Sequence, residues 1–573
     1  METGKVKHWN EDKGYGFIIT NNGEEIFVHI SDLAIPNQNS LKKNQFVKFK
    51  RTKNSRGVKA SHVELLFPES EFNDNKISDS LIDLNIESED IEELNTDKVE
   101  NNILHEISLW MREAKAENND RYFWHLKEAD QIKQGEKYFV IGRKGSGKTA
   151  ICEFLNRQSG HNVFAEKLNF KSFPFNDLYG QKNQKYTPPN QFISIWKYLI
   201  YSTICRLMLK NESIDISVRD QLSQIYNDDT SLNRRIEKWT GNEFGISLFG
   251  LSIKLSKRPT TTPQNWIDHL NFIEDLVLQY AGEAKYYILF DELDEDYRDL
   301  VEKDQYIQYA SLITSLFKAV QDIRTTTPIT TNKPKLYPIV FLRDDIYEIV
   351  RDSDKNKWGD FRVDLNWDID KIKKLIAFRI SRARDASCKN ILPFNTAWQM
   401  VFGTKKIGVG SKGKNKISTF DYISRGTILR PRDFVSYLQN CAQEATNEGI
   451  NISPEVVKRV DKAFSNYLKN EFIDELFVIL PDISNIFSTI SQLRKWNFSI
   501  EELMNAYSEQ VSQGFIKEHN VKYVIQTLFL FSVIGNSPRN GRYVFRYLSP
   551  EARLNFNERI VIHRGLFKAL QIL

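Results

Sequence analysis

Gly142-Arg143-Lys144-Gly145-Ser146-Gly147-Lys148-Thr149 stands between the apolar run Tyr138-Phe139-Val140-Ile141 and the helix-like Ala150-Ile151-Cys152-Glu153-Phe154-Leu155. Its spacing is G-x-x-x-x-G-K-T, in the strand–loop–helix setting that such a loop requires. The glycines let backbone N–H groups turn toward anionic oxygens, and the helix N-terminus adds partial positive charge. Gly142, Lys144, Gly145, Ser146, Gly147 and Ala150 are therefore expected to surround phosphate groups. Lys148 would reach the β- and γ-phosphates, and Thr149 would offer its hydroxyl to Mg²⁺. A bound nucleoside triphosphate is the expectation.

Such a loop needs a carboxylate at the tip of a second buried strand. Lys285-Tyr286-Tyr287-Ile288-Leu289-Phe290-Asp291-Glu292 has that form, an apolar run ending in Asp-Glu. Asp291 would hold Mg²⁺ through water, and Glu292 would orient or deprotonate the attacking water, so hydrolysis is expected. A third buried strand, Tyr337–Leu342, ends at Arg343-Asp344-Asp345. Arg343 stands either as a γ-phosphate sensor or in a salt bridge to Asp294 or Asp344. Trp367-Asp368 opens a helix with apolar residues at helical spacing. Leu429-Arg430-Pro431-Arg432-Asp433 opens another, with proline suited to the first turn. Arg432, ahead of Arg430, is the expected lid arginine touching the nucleotide. Between 185 and 280 the helical spacing of Phe192, Ile195, Leu199, Ile204 and Met208 reads as core, and Ser252–Arg258 as a solvated edge strand.

Residues 4–65 are different in kind. Five short alternating runs are broken by turn residues, with Asn21-Asn22-Gly23 a hairpin signal. That pattern predicts a small closed barrel. Trp9, Tyr15, Phe17, Phe27 and His29 are interleaved with Lys5, Lys7 and Lys13. Aromatic faces stack bases and lysines neutralise phosphates, so this face is expected to bind single-stranded RNA or DNA. The other reading is that the rings fill the barrel core.

The bulk numbers set the frame. At 573 residues, three or four domains are expected. A net charge of +4, from 79 basic and 75 acidic residues, argues neither for nor against nucleic acid, so local charge must decide. Four scattered cysteines form no C-x-x-C pair, which argues against a disulfide framework or metal cage and fits a reducing cytoplasm. No apolar run approaches the roughly 20 residues of a membrane span, and no leader is expected at the N-terminus. From Glu69 to Glu100, twelve acidic residues face two lysines. This reads as a solvated tether, or as an acidic cover for the basic barrel. Lys405, Lys406, Lys412, Lys414 and Lys416 mark a surface loop or a phosphate contact. Near the C-terminus, Phe529–Asn536, a turn at Ser537–Gly541 and a return over Arg542–Tyr547 predict a winged-helix hairpin. Arg539, Arg542 and Arg546 on it either contact DNA or pack on a neighbouring domain. His563 reads as structural.

Two resemblances attach to these motifs. Gly4-Lys5-Val6-Lys7, Asn10–Ile18 and Ile26-Phe27-Val28-His29-Ile30-Ser31 resemble a bacterial cold-shock domain, an OB-fold barrel that binds single strands by stacking. His8 stands where that family usually has tryptophan and Ile30 where it has phenylalanine, which weakens two platforms. The order of Gly142–Thr149, Asp291-Glu292-Leu293-Asp294, Phe341–Asp345, Trp367-Asp368 and Arg430–Asp433 resembles a bacterial group of P-loop ATPases related to the AAA+ and STAND classes. That resemblance implies ATP, an ATPase acting as a switch, and a role in antiphage defence. The expected architecture is a small all-β OB-fold barrel (1–66), an acidic linker (67–104), an α/β P-loop NTPase core (105–385), a helical lid (386–450) and an α+β winged-helix-like domain (451–573). A nucleic-acid remodelling motor and a non-hydrolysing ATP-locked scaffold are the alternatives. A separate effector protein and a homo-oligomer are expected partners.

Overall fold

The computed structural model describes residues 2–10, 14–20, 24–34, 41, 46–54, 57–65, 96–158, 160, 162–170, 183, 185–187, 190–226, 231–240, 266–294, 303–327, 334–410, 414–518, 520–538 and 541–572. Lys13, the Asn21-Asn22-Gly23 turn, the Ser252–Arg258 run, Lys412, Arg539 and most of the acidic segment lie outside them. The chain divides into two compact units, Met1–Glu92 and Glu93–Leu573.

The first unit is a closed barrel of β1 (Glu2–Asn10), β2 (Tyr15–Thr20), β3 (Glu25–His29), β4 (Phe46–Asn54) and β5 (Gly57–Leu65), in the order β1-β2-β3-β5-β4. β1 pairs with both β2 and β4, and β3 meets β5 in parallel, as in an OB-type barrel. The period of two puts Val6, Ile18, Ile26, Val28, Val47 and Phe49 inside. A register shift between Val6 and His8 re-aims the end of β1.

The second unit contains a parallel sheet of β6 (Phe139–Ile141), β7 (Val163–Asn169), β8 (Lys285–Asp291), β9 (Lys335–Leu342) and β10 (Arg362–Asp364), ordered β10-β6-β9-β8-β7. β6, β8 and β9 are buried along nearly their whole length, because helices cover both faces. The order inserts β9 between the strand feeding the Gly142 loop and the strand ending in Asp291. All five strands point their C-terminal ends to one edge, so the motifs read separately in sequence collect there. The helices of 193–280 belong to this same hydrophobic core, and Trp196 donates its indole N–H to Leu312 O at 2.9 Å.

A second apolar cluster joins α1 (Thr96–Ser108), through Ile103, Leu104 and Ile107, to α2 (Ile369–Arg384), α3 (Pro431–Glu448) and α4 (Pro454–Leu476). The helix Ile369–Arg384, which the sequence reading placed in the NTPase core, and the helix that ends the acidic segment both pack in this second cluster. The reason is amphipathicity: Ile372, Ile376 and Ile380 face the second cluster rather than the sheet. Strands β11 (Ile407–Val409) and β12 (Asn415–Ile417) pair antiparallel in the lysine-rich stretch.

The C-terminal sheet corrects one expectation. β13 (Asn497–Phe498), β14 (Ile534–Ser537) and β15 (Arg559–Ile562) are ordered β13-β15-β14, and β14 pairs with β15. The return expected over Arg542–Tyr547 is reduced to a single bridge, Asn536 to Val544. The apolar Phe529-Leu530 belongs to the end of a helix, Val521–Leu530. Phe545 and Tyr547 turn their rings onto buried His563 instead of extending a hairpin. No helix among the described residues is long and apolar enough to cross a membrane.

Candidate functional site

Gly145 and Gly147 adopt φ of +81° and +97°, the left-handed region that glycine alone enters freely. A Cβ at Gly145 would also lie 3.2 Å from Arg432 Cβ, so this turn is packed as well as bent. The loop leads into α-helix Lys148–Asn156, whose first turn has no side-chain cap. Its leading N–H groups thus point at the loop, as an anion site requires. Lys148 Nζ donates to Gly142 O at 2.7 Å and Arg143 O at 3.0 Å. Burial pulls the Lys148 pKa down, while Asp294, Asp344 and Asp291 oppose that shift. Ser146 Oγ is buried without a hydrogen-bond partner.

β8 delivers Asp291 buried and Glu292 half-buried. Asp291 Oδ2 lies 2.9 Å from Lys167 Nζ on β7, which also meets Glu153 at 2.8 Å. Glu292 has φ +59°, strained for a residue with a side chain, and accepts from Lys115 Nζ at 2.7 Å. From the tip of β9, buried Arg343 reaches Asp345 at 2.6 Å and Asp294 at 3.4 Å. Of the two expected bridges, Asp294 is present, and Asp345 is the stronger partner.

Residues around the helices of the second cluster pack against the loop. Trp367 donates to Ser146 O at 2.8 Å. Arg430 is locked in a fully buried pair with Asp433 at 2.9 Å and Glu475 at 2.6 Å. Arg432 remains a quarter exposed and holds Glu471 at 3.4 Å. Of these residues, Lys148, Asp291, Glu292, Arg343, Trp367 and Arg432 line a cleft of about 440 Å³, and Arg430 does not. Its lining combines charged groups, Lys148, Asp291, Glu292 and Arg343, with the rings of Tyr122, Phe123, Trp124 and Trp367. Lys144, Gly145, Ser146, Gly147, Thr149 and Ala150 also line it, while Gly142 does not and packs behind the loop against Ser146 and Leu365.

Sequence reading missed Lys115, Lys167 and Arg379. Arg379 pairs with Glu117 and stacks between Trp110 and Tyr122, at 4.4 and 4.7 Å. Nothing in the spacing of isolated lysines signals such pairings. The dense Tyr122-Phe123-Trp124 triplet was the available clue to the aromatic wall. Among the described residues no group of three or more His, Cys, Asp or Glu forms a metal cage. A cation there would instead draw on hard oxygens, the Thr149 hydroxyl and Asp291, a donor set that fits Mg²⁺.

On the barrel, Tyr15, Phe17, Phe27 and His29 form one surface group. Tyr15 pairs with His29 and Phe17 with Phe27 in register, with ring centroids 5.7 Å (Tyr15–Phe27) and 5.8 Å (Phe17–Phe27) apart. Phe17 is 36% exposed. Lys7 is paired with Glu25. Trp9 is not part of that row: it packs on the barrel core and over Gly16, with its indole N–H buried. His8 is the exposed neighbour, in register with Phe17.

A closed five-stranded barrel with an exposed aromatic row is the form of a single-strand-binding module. Through residues 2–66 the chain belongs to the 'cold-shock' DNA-binding domain family. It is 41% identical over 64 residues to cold shock protein CspC of Bacillus subtilis and 37% identical over 65 residues to cold shock protein CapB of Pseudomonas fragi. These alignments cover 97% and 94% of those proteins but 11% of this chain. Residues 370–473, the lid helices, match the FunZ-associated C-terminal helical domain. Part of the chain is similar to the Aeropyrum pernix ORC2 protein, solved as ADPNP–ADP complexes and in an ADP form. Identities are 11% and 12% and TM-scores 0.37 and 0.28, over 77% of this chain and 88% and 89% of those chains.

Proposed function

We propose that the chain is an ATP-hydrolysing switch whose state is set by a single-stranded nucleic acid held on residues 2–66. The observation carrying the hydrolysis half is the convergence of Lys148, Asp291, Glu292 and Arg343 in one cleft beneath Arg432. The loop and Lys148 hold the phosphates; Lys148 exchanges its two carbonyl partners for phosphate oxygens. Glu292 receives a proton from water as the water oxygen attacks the γ-phosphorus and the bond to the β–γ bridging oxygen breaks, leaving ADP and phosphate. Arg343 and Arg432 neutralise charge that accumulates on the γ-phosphoryl oxygens. Thr149 and Asp291 are the residues that would hold Mg²⁺, which when bound neutralises β- and γ-phosphate charge. Lys167 holds one Asp291 oxygen, so the other is the one left for that role.

The barrel half rests on the exposed Phe17–Phe27 row. A role in antiphage defence, with a separate effector, rests only on the resemblance of the motif order to its bacterial ATPase group. The test is hydrolysis of ATP and of GTP by full-length protein, with and without single-stranded RNA or DNA. Hydrolysis that changes with the strand, without strand displacement, supports the switch. Strand displacement would make it a motor, and tight binding without turnover an ATP-locked scaffold.

A further inference from the structure

Glu292 is not free in its cleft. Its carboxylate Oε2 receives the Lys115 ammonium at 2.7 Å, and its backbone sits at φ +59°. One of its two carboxylate oxygens is thus held by an ammonium group, which fixes where the carboxylate can point.

Lys115 does not belong to the sheet. It lies in the segment between α1 and the short helix Asn119–Tyr122, and that segment is fastened to the lid. Arg112 donates to Gln439 on α3 at 3.3 Å and its guanidinium lies 5.2 Å from the centroid of the Tyr467 ring on α4. Glu117 is buried in an ion pair with Arg379 on α2. Asn119 Nδ2 donates to Ala114 O at 2.7 Å, and Glu117 Oε2 accepts from Met111 N at 3.3 Å, so the turn carrying Lys115 is rigid. Lys115 is therefore tied through its segment to α2 and α3, while Glu292 stands at the tip of β8.

We infer that Lys115 is a positioning residue that restrains Glu292, so that lid position decides when the general base is available. This rests on the hydrolysis reading above. The pair is partly exposed, 34% and 23% by side chain, so it is a modest restraint that a lid displacement can undo. A deeply buried pair in the same place would be permanent.

The test uses full-length protein and compares wild type, Lys115→Ala, Lys115→Arg and Lys148→Ala. ATP turnover is measured at saturating ATP and Mg²⁺, together with KM and the binding of a fluorescent ADP analogue. Lys115→Ala is expected to raise kcat about three- to tenfold, with KM and ADP affinity within twofold. Lys115→Arg should return toward the wild-type rate, and adding Glu292→Gln to Lys115→Ala should abolish the gain. A wild type that hydrolyses ATP while Lys115→Ala is equal or slower overturns the restraint alone. So does an equal gain in Lys115→Arg. A wild type no faster than Lys148→Ala overturns both the restraint and the hydrolysis reading.

Discussion

Three residues carry sharp expectations. Glu292→Gln should keep nucleotide binding and lose hydrolysis by about 10²-fold or more, because it removes the proton acceptor and leaves the loop intact. Single-turnover kinetics with radiolabelled ATP would read the loss, and a variant that still turns over at the wild-type rate would remove Glu292 from the mechanism. Gly145→Ala meets both a left-handed φ and Arg432 Cβ at 3.2 Å, so it should destabilise the loop by ~1–2 kcal/mol and weaken nucleotide binding. Calorimetry on the purified variant would show it. His563 is fully buried between Phe545 and Tyr547, and burial pushes its pKa down to about 3 from 6.5. The unfolded chain takes up a proton that the native ring refuses. Stability is therefore complete above pH about 6.5 and falls by up to ~1.4 kcal/mol per pH unit as pH drops toward 3. His563→Asn should flatten that acid limb in thermal melts. The phosphate loop and the Asp291-Glu292 tip were legible because their chemistry fixes residue type at fixed spacing. Lys115 and Lys167 were not, since each acts through a partner far away in sequence.

At the scale of elements, the strand reading succeeded where alternation or an unbroken apolar run dominated. β1–β5, β8 and β9 fall where the pattern put them, because a period of two or full burial leaves one register. The return strand was misplaced, at Arg542–Tyr547 instead of Arg559–Ile562, because Phe545 and Tyr547 pack their rings on buried His563, and tertiary packing overrode local propensity. Arg546, in that same stretch, forms an ion pair with Glu348 at 2.7 Å. The row on β2 and β3 yields a prediction of its own. Phe17→Ala and Phe27→Ala should each cost ~1–3 kcal/mol in single-strand affinity, measured by fluorescence anisotropy at fixed salt. Trp9→Phe should leave affinity nearly unchanged and lower barrel stability, because that indole packs inward. The opposite result would place Trp9 on the binding face.

For the molecule as a whole, buried charges tie the helices over the loop to one another, Arg430 at the start of α3 to Glu475 on α4. Arg430→Met leaves Asp433 and Glu475 buried without their cation and should cost ~3–5 kcal/mol, visible as an early unfolding step in differential scanning calorimetry. An unchanged melt would show that α3 and α4 pack without it. Removing residues 1–92 should leave basal ATP turnover within twofold and erase any response to single strands, since that unit has its own core. The loop itself is gripped from three regions of the chain: Trp367 at Ser146 O, Arg430 at Lys144 O, and Arg143, whose guanidinium donates to Phe531 O at 3.2 Å. The last grip has a thermodynamic corollary. Whatever free energy filling the loop exerts on the stretch at Phe531, a molecule binding there must return to the loop in equal measure. Nucleotide affinity is then a property that a partner touching only the stretch at Phe531 would tune, in either direction, by the same factor with which nucleotide tunes the partner.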